Sequence, residues 1–332
     1  MQSVISVHDL AKRYGSSLRS DRAALLGLTL DVPRGEIYGF LGPNGAGKTT
    51  TIKLLLGLIR PTGGGGTVLG HPLGSVEARR LVGFLPESPY FYEYLRGDEI
   101  LDYYGSLFGL ADRVRRERVD TLLRLVGLAD QRRLSVRKYS RGMLQRLGLA
   151  QALINDPDLV ILDEPAGGLD PIGRREMRDI LLGLRERGKT VFLSSHILAE
   201  VETVCDRVAI LHRGELVAVG RIGDLLAGTR EMELTIHGAN GSLGRHIEAI
   251  PGATIHHGTD ATVVVVPEQR FVYPIIDLVR ETGGQIVSLG AKRERLEDVF
   301  VKLVGARDDG TRAAAATRPA GDSASDRDGG TA

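Results

Sequence analysis

A single cysteine in 332 residues, Cys205, rules out an internal disulfide and a thiolate zinc cluster. It falls in the pattern Leu198, Val201, Cys205, Val208, one apolar helix face, so its expected role is core packing. Long apolar runs are missing too. The longest are short, such as ATVVVV and LVILDE, far from the roughly 20 residues of a membrane helix. The chain is therefore expected to be soluble, and any span it works with must come from another chain. The opening MQSVISVHDLAKRYG has no basic stretch followed by an apolar one, so no signal peptide is expected. Neither sign of charge prevails. The net charge is +1 with 26% charged residues, and no global field favours nucleic acid. Aromatics make up only 5% of the chain, so their density in SPYFYEYL (88–95) stands out. That density suits either a protein interface or a core.

Three regions differ in pattern. Up to about residue 225, short apolar runs alternate with helical segments. GEIYGFLG, LVGFLPE, DLVILDE and KTVFLSS read as strands, the last two of the buried parallel type. KTTTIKLLLGLI reads as a helix stopped at Arg60-Pro61. This alternation predicts an α/β fold with a mostly parallel sheet. A helical insert occupies about 90–150, with Asp112 as N-cap of its second helix. VAILHRGELVAVG reads as a hairpin turning at Arg213-Gly214, and the four glycines at 63–66 as a flexible turn. Residues 230–305 follow the order βαββαβ plus a last helix, a small α+β domain in which Met232, Leu234 and Ile236 share one face. His256-His257 reads as a strand pair there, and no catalytic cluster is visible. Residues 306–332 contain no aliphatic side chain larger than Ala and no aromatic, and are expected to be disordered.

The strongest chemical signal is GPNGAGKTT: Gly42, Pro43, Asn44, Gly45, Ala46, Gly47, Lys48, Thr49 and Thr50. It fits G-x-x-x-x-G-K-[ST] between a strand and a helix. The glycines let backbone N–H groups curl around phosphate, Lys48 adds a point charge, and the Thr49 hydroxyl can ligate Mg²⁺. LVILDEP ends a buried strand with Asp163 and Glu164. Adjacent side chains there point different ways, so one can serve a metal and the other an attacking water. SSHIL sets His196 where a strand becomes a helix. YSRGMLQRL makes Ser140 an N-cap, and a helix start with Ser and Gly at its mouth is an anion site.

The ordered set GPNGAGKTT, YSRGMLQRL, LVILDEP, GGLDP and SSHIL resembles the ATP-binding subunit of an ABC transporter over about residues 1–225. The resemblance implies a P-loop ATPase that binds ATP and Mg²⁺ and pairs head to tail with a second ATPase domain, either a second copy of itself or a different ATPase subunit. Ser140, Arg141, Gly142 and Gln145 would then serve the nucleotide held by the partner, Ser140 and Gly142 touching the γ-phosphate. It also implies that Tyr14 stacks on adenine, with a plain surface-loop Tyr as the alternative. Asp163 would serve the Mg²⁺ shell, Glu164 would be the general base and His196 the γ-phosphate switch, and Asp170 would join the two sites. Two positions depart from the family pattern. Arg141 stands in the middle of a usual Ser-Gly-Gly, adding attraction or pointing outward. Glu87 stands where Gln is usual, and its carboxylate can still ligate Mg²⁺. The LPE form and the ending RLEDVFVKLVG are similar to the branch with drug-resistance and antibiotic-export ATPases and ABC-2-type exporters.

The implied partner is an integral-membrane permease, docked on the helical insert near Glu87. The chain would then sit peripherally on the cytoplasmic face of the membrane as part of an exporter. The alternative is a soluble ABC ATPase of translation or DNA repair. That alternative fits less well, because there is one motif set, no room for a long coiled coil between Lys48 and Ser140, and near-neutral charge. A module that senses ATP without hydrolysing it fits poorly with intact Asp163, Glu164 and His196. No nucleic-acid partner is expected.

Overall fold

The computed structural model describes residues 3–15, 22–226, 231–238, 244, 246–247, 249–258, 261–292 and 295–304. The expected disordered tail lies outside them. The centre is a six-stranded sheet of β3 (Ile37–Leu41), β6 (Val82–Leu85), β7 (Leu159–Asp163), β8 (Thr190–Ser195), β9 (Arg207–His212) and β10 (Glu215–Arg221), in the order β10-β9-β3-β8-β7-β6. All neighbours pair in parallel except β9–β10, the hairpin that turns at Arg213 and Gly214, both with positive φ. Strands β3, β7 and β8 are buried along their whole length, which explains their unbroken apolar runs.

A second, antiparallel sheet has no counterpart in the sequence pattern. Its strands are β1 (Ser3–Tyr14), β2 (Arg22–Pro33), β4 (Gly63–Val68) and β5 (His71–Pro72), in the order β2-β1-β4-β5. Register shifts along β1 break the period-two pattern that would have marked it. The glycines at 63–66 are therefore a strand and not a flexible turn. The reason is steric. A Cβ at Gly66 would lie 2.2 Å from the Ser6 carbonyl oxygen, and one at Gly64 would lie 2.2 Å from that of Asp9.

One core fills the space between the two sheets. There Tyr38, Phe40 and Phe192 meet Ile5, Leu25 and Leu28, together with Ile52 and Leu55 of α1 (Lys48–Leu55). The other face of the parallel sheet carries Ile37 and Leu41, covered by the helices α3 (Gly97–Leu107), α4 (Asp112–Leu125), α5 (Arg141–Ala152), α6 (Pro171–Glu186) and α7 (Leu198–Val204). A short helix, α2 (Val76–Leu81), precedes β6. Asp112 is the first residue of α4, not its cap. Ala111 takes the N-cap conformation, and the Asp112 carboxylate instead pairs with Arg115 at 3.2 Å.

Cys205 closes α7 and is buried against β3. A Cβ at Gly39 would fall 3.1 Å from its Sγ. Burial, with the Asp206 charge beside it, pushes the thiol well above the usual range. Iodoacetamide at pH 8 is expected to leave Cys205 intact in the native chain and to alkylate it fully in urea. Intact mass reads both states, and rapid native labelling would contradict the packing.

Beyond residue 230, β11 (Met232–His237), β12 (Thr254–His257), β13 (Thr262–Val266) and β14 (Gln285–Ala291) form an antiparallel sheet in the order β12-β13-β11-β14. With helical residues 246–247 and a helix at Val272–Glu281, this is the connectivity of a ferredoxin-like unit. Leu234, Ile236, Val264 and Val266 face Val272, Ile275 and Val279. His256 and His257 pair with Val263 and Thr262 in the sheet. The helix at 296–304 departs from the sequence grouping. Leu296, fully buried, joins the large core of the first region, and its N–H donates to Glu202 Oε2 at 3.2 Å. No helix among the described residues is long and apolar enough to cross a membrane.

Candidate nucleotide site

The parallel sheet brings the chemistry to one edge. Each motif loop leaves the carboxyl end of a strand: the P-loop after β3, Glu87 after β6, Asp163-Glu164 at β7 and His196 after β8. In-register pairing sets Leu41 beside Ser195 and Asp163 beside Ser194. This is the edge at which open parallel sheets bind ligands. A cavity of about 670 Å³ opens there, lined by Tyr14, Pro43, Asn44, Gly45, Gly47, Lys48, Thr49, Thr50, Glu87, Glu164 and His196. Ala23, Ala24 and Lys53, which the motifs did not flag, complete it. Lys53 had a readable signal, a cation on the helix that the P-loop feeds.

The P-loop is wound tightly. Gly47 has φ of +113°, and a Cβ there would fall 2.5 Å from the Ala24 carbonyl oxygen. Helix α1 begins at Lys48 without a side-chain cap, so its first N–H groups point at the cavity unpartnered by any side chain. Lys48 is buried and held from two sides. Its Nζ donates to the Gly42 carbonyl at 2.7 Å and pairs with Glu164 Oε1 at 3.2 Å. Glu164 Oε2 lies 2.8 Å from His196 Nδ1.

Glu164 occupies the left-handed region, with φ of +50°. That kink turns it away from its neighbour. Asp163 Oδ1 accepts the Ser194 hydroxyl at 2.6 Å, while Glu164 faces Lys48 and His196. The Ser194 hydroxyl also accepts the Glu164 N–H at 3.0 Å, so one side chain orients both acids. The motif SSHIL contained that serine, but only the strand register revealed its use. Tyr14 is 44% exposed at the cavity mouth, and the Lys12 ammonium sits 5.2 Å from its ring centre.

Ser140, Arg141 and Gly142 do not line this cavity. Ser140 caps α5, its Oγ accepting the Met143 N–H at 3.2 Å. The Arg141 guanidinium folds back onto Gly168, where a Cβ would lie 2.4 Å from its Cζ. Ser140 and Arg141 are exposed and Gly142 is half-buried, but Gln145 does not join them. It is 2% exposed, one turn into α5 on the buried side. Asp170 caps α6, with Oδ1 accepting the Gly173 N–H at 2.8 Å.

Comparison with known proteins agrees with this geometry. The family model described as ABC transporter matches residues 25–167. An uncharacterized ABC transporter ATP-binding protein of Nostoc sp. is 45% identical over 92% of this chain and 91% of its own length. The bacitracin transport ATP-binding protein of Bacillus licheniformis is 38% identical over 92% of this chain and 98% of its own. A solved ATP-binding subunit of an ABC transporter superposes with a TM-score of 0.60, at 33% identity, over 68% of this chain and 92% of that one. The chain belongs to the ABC transporter ATP-binding proteins and is an ABC-type ATPase.

Proposed function

We propose that the chain is the ATP-hydrolysing subunit of an exporter, working on the cytoplasmic face of a separate integral-membrane permease and closing as a head-to-tail dimer with a second copy. The observation that carries this reading is the single cavity in which Lys48, Glu164 and His196 meet the P-loop while the Ser140 helix start lies elsewhere. A phosphate cradle without the signature is half a site, and a second chain would complete it. The similarity to a bacitracin transport ATP-binding protein supports the exporter branch. The aromatic stretch after Glu87 divides in a way that supports docking. Phe91 is buried, while Tyr90, Tyr92 and Tyr94 are 83%, 70% and 86% exposed.

In this reading the chain divides at about residues 225 and 305, with the ATPase first, the small α+β unit second, its last helix packed back on the ATPase core, and the tail last. Tyr14 stacks on adenine, the P-loop N–H groups and Lys48 hold the phosphates, and Glu164 orients and deprotonates the attacking water. His196, already bonded to Glu164, reads the γ-phosphate. Asp170 links the two half-sites. Thr49, Asp163 and Glu87 are hard oxygen donors suited to Mg²⁺, which would supply charge neutralisation at the phosphates.

The test is the solution mass of Glu164→Gln with and without Mg-ATP. The expected result is a shift from monomer to dimer that Ser140→Arg abolishes. A chain that stays monomeric under saturating Mg-ATP would rule out closure by two copies alone.

A further inference from the structure

A second cavity, of about 340 Å³, lies behind the catalytic loops between α6 and α7. We propose that it is a regulatory site for an amphiphilic anion, a medium-chain carboxylate. The apolar body would fill the cavity and the head group would meet the arginines at its mouth.

The lining supports that ligand class. Met177, Leu181, Leu193 and Val201, all nearly inaccessible to solvent, form an apolar wall. The volume is at the lower end of the roughly 300–1,000 Å³ usual for small-molecule sites, and such sites pair apolar walls with a few polar groups. The mouth carries Arg174, Arg175 and Arg178 against one carboxylate, Glu200. Arg175 makes no ion pair among the described residues, and Arg178 meets only Asp179, at 3.6 Å. The surplus is cationic, so an anionic head group is selected over a neutral or cationic one. The tail beyond residue 305 has no aliphatic side chain larger than Ala to offer such a wall.

The position supplies the regulation. Pro165 and Ala166, which follow Glu164, line the cavity, as do Ser195, which precedes His196, and Pro171, which follows Asp170. Arg174 bridges two of these elements. It donates to the Leu169 carbonyl at 2.9 Å and pairs with Glu200 Oε1 at 3.2 Å. Burial pushes the Glu200 carboxyl above the usual carboxylate range, and Arg174 opposes that push. A ligand carboxylate competes with Glu200 for Arg174 and so loosens the backbone one residue before Asp170. The effect on turnover rests on the function proposed above; the binding itself does not.

The experiment is calorimetric titration of the full chain with decanoate, alongside ATP turnover with and without it. One decanoate is expected to bind per chain, with n-decanol weaker by about tenfold. Leu181→Trp, which fills the cavity, and Arg175→Glu with Arg178→Glu, which reverses its mouth, are each expected to lose about tenfold in affinity. Thermal melting checks that Leu181→Trp folds, and the charge reversal sits at the surface. Turnover of the unmodified chain is expected to change at least about twofold on decanoate addition, and that of Leu181→Trp to stay constant. Absence of saturable binding, or equal binding by both variants, would overturn the site. Binding without a change in turnover would overturn its regulatory role. Turnover and dimerisation measured without decanoate report separately on the proposed function.

Discussion

Glu164→Gln is expected to lower ATP turnover by about 10²- to 10⁴-fold, the usual contribution of a positioned general base. The amide keeps the size and one acceptor oxygen of the carboxylate but cannot take a proton from water. Nucleotide affinity is expected to hold or rise. The Glu164 carboxylate pairs with Lys48 at 3.2 Å, and both side chains are largely buried, 10% and 7% exposed. An arriving phosphate must compete with it for the same ammonium. In the variant Lys48 has lost its carboxylate partner, which destabilises the empty chain because a buried charge is left poorly compensated. Phosphate then restores that missing charge. ATP should therefore raise the melting temperature of the variant more than that of the unmodified chain. Phosphate release and thermal melts with and without Mg-ATP read the two effects. Unchanged turnover would remove Glu164 from the role of base, and an equal ATP-dependent rise in both chains would show that the ion pair does not oppose binding.

The second large effect belongs to neighbouring glycines of β4. Gly66→Val is expected to destabilise the chain by about 3 kcal/mol, the upper part of the range for overpacking. Its Cβ alone would sit 2.2 Å from the Ser6 carbonyl oxygen and 2.8 Å from the Val7 Cα. These are backbone atoms of the paired strand, so relief requires separating β4 from β1. A Cβ at Gly65 would meet nothing within 4 Å. There Gly65→Val removes the conformational freedom of glycine from the unfolded chain and adds a strand-favouring side chain, so stability is expected to rise by up to about 1 kcal/mol. Urea denaturation of the two variants compares them directly. Equal effects would mean that β4 is not held against β1 as described.

The nucleotide cradle was readable because its code is local. GPNGAGKTT specifies a loop whose own backbone and lysine line the cavity, and the strand before it and helix after it follow from adjacent apolar runs. The Arg213-Gly214 hairpin and the βαββαβ order after residue 230 were legible for the same reason, since turn chemistry and period-two patterning act over a few residues. The antiparallel sheet was not legible. Only β1 and β4 pair far along the chain, Ile5 beside Val68, but the register of β1 shifts against both partners and β4 is mostly glycine.

The sequence alone therefore determined which residues are candidates to bind phosphate, ligate a hard metal and activate water. Tertiary structure decided which of them meet. Parallel register put Ser194 under both acids and turned Glu164 to Lys48 and His196. It set Ser140 apart from the cavity, buried Gln145 and laid Arg141 on Gly168. It also created the cavity behind α6 and α7, whose walls come from residues spread over 165–204. The physical reason is common to all of these. Side-chain chemistry is a property of each residue, whereas proximity across a sheet edge depends on strand order and register, which one stretch of sequence does not encode.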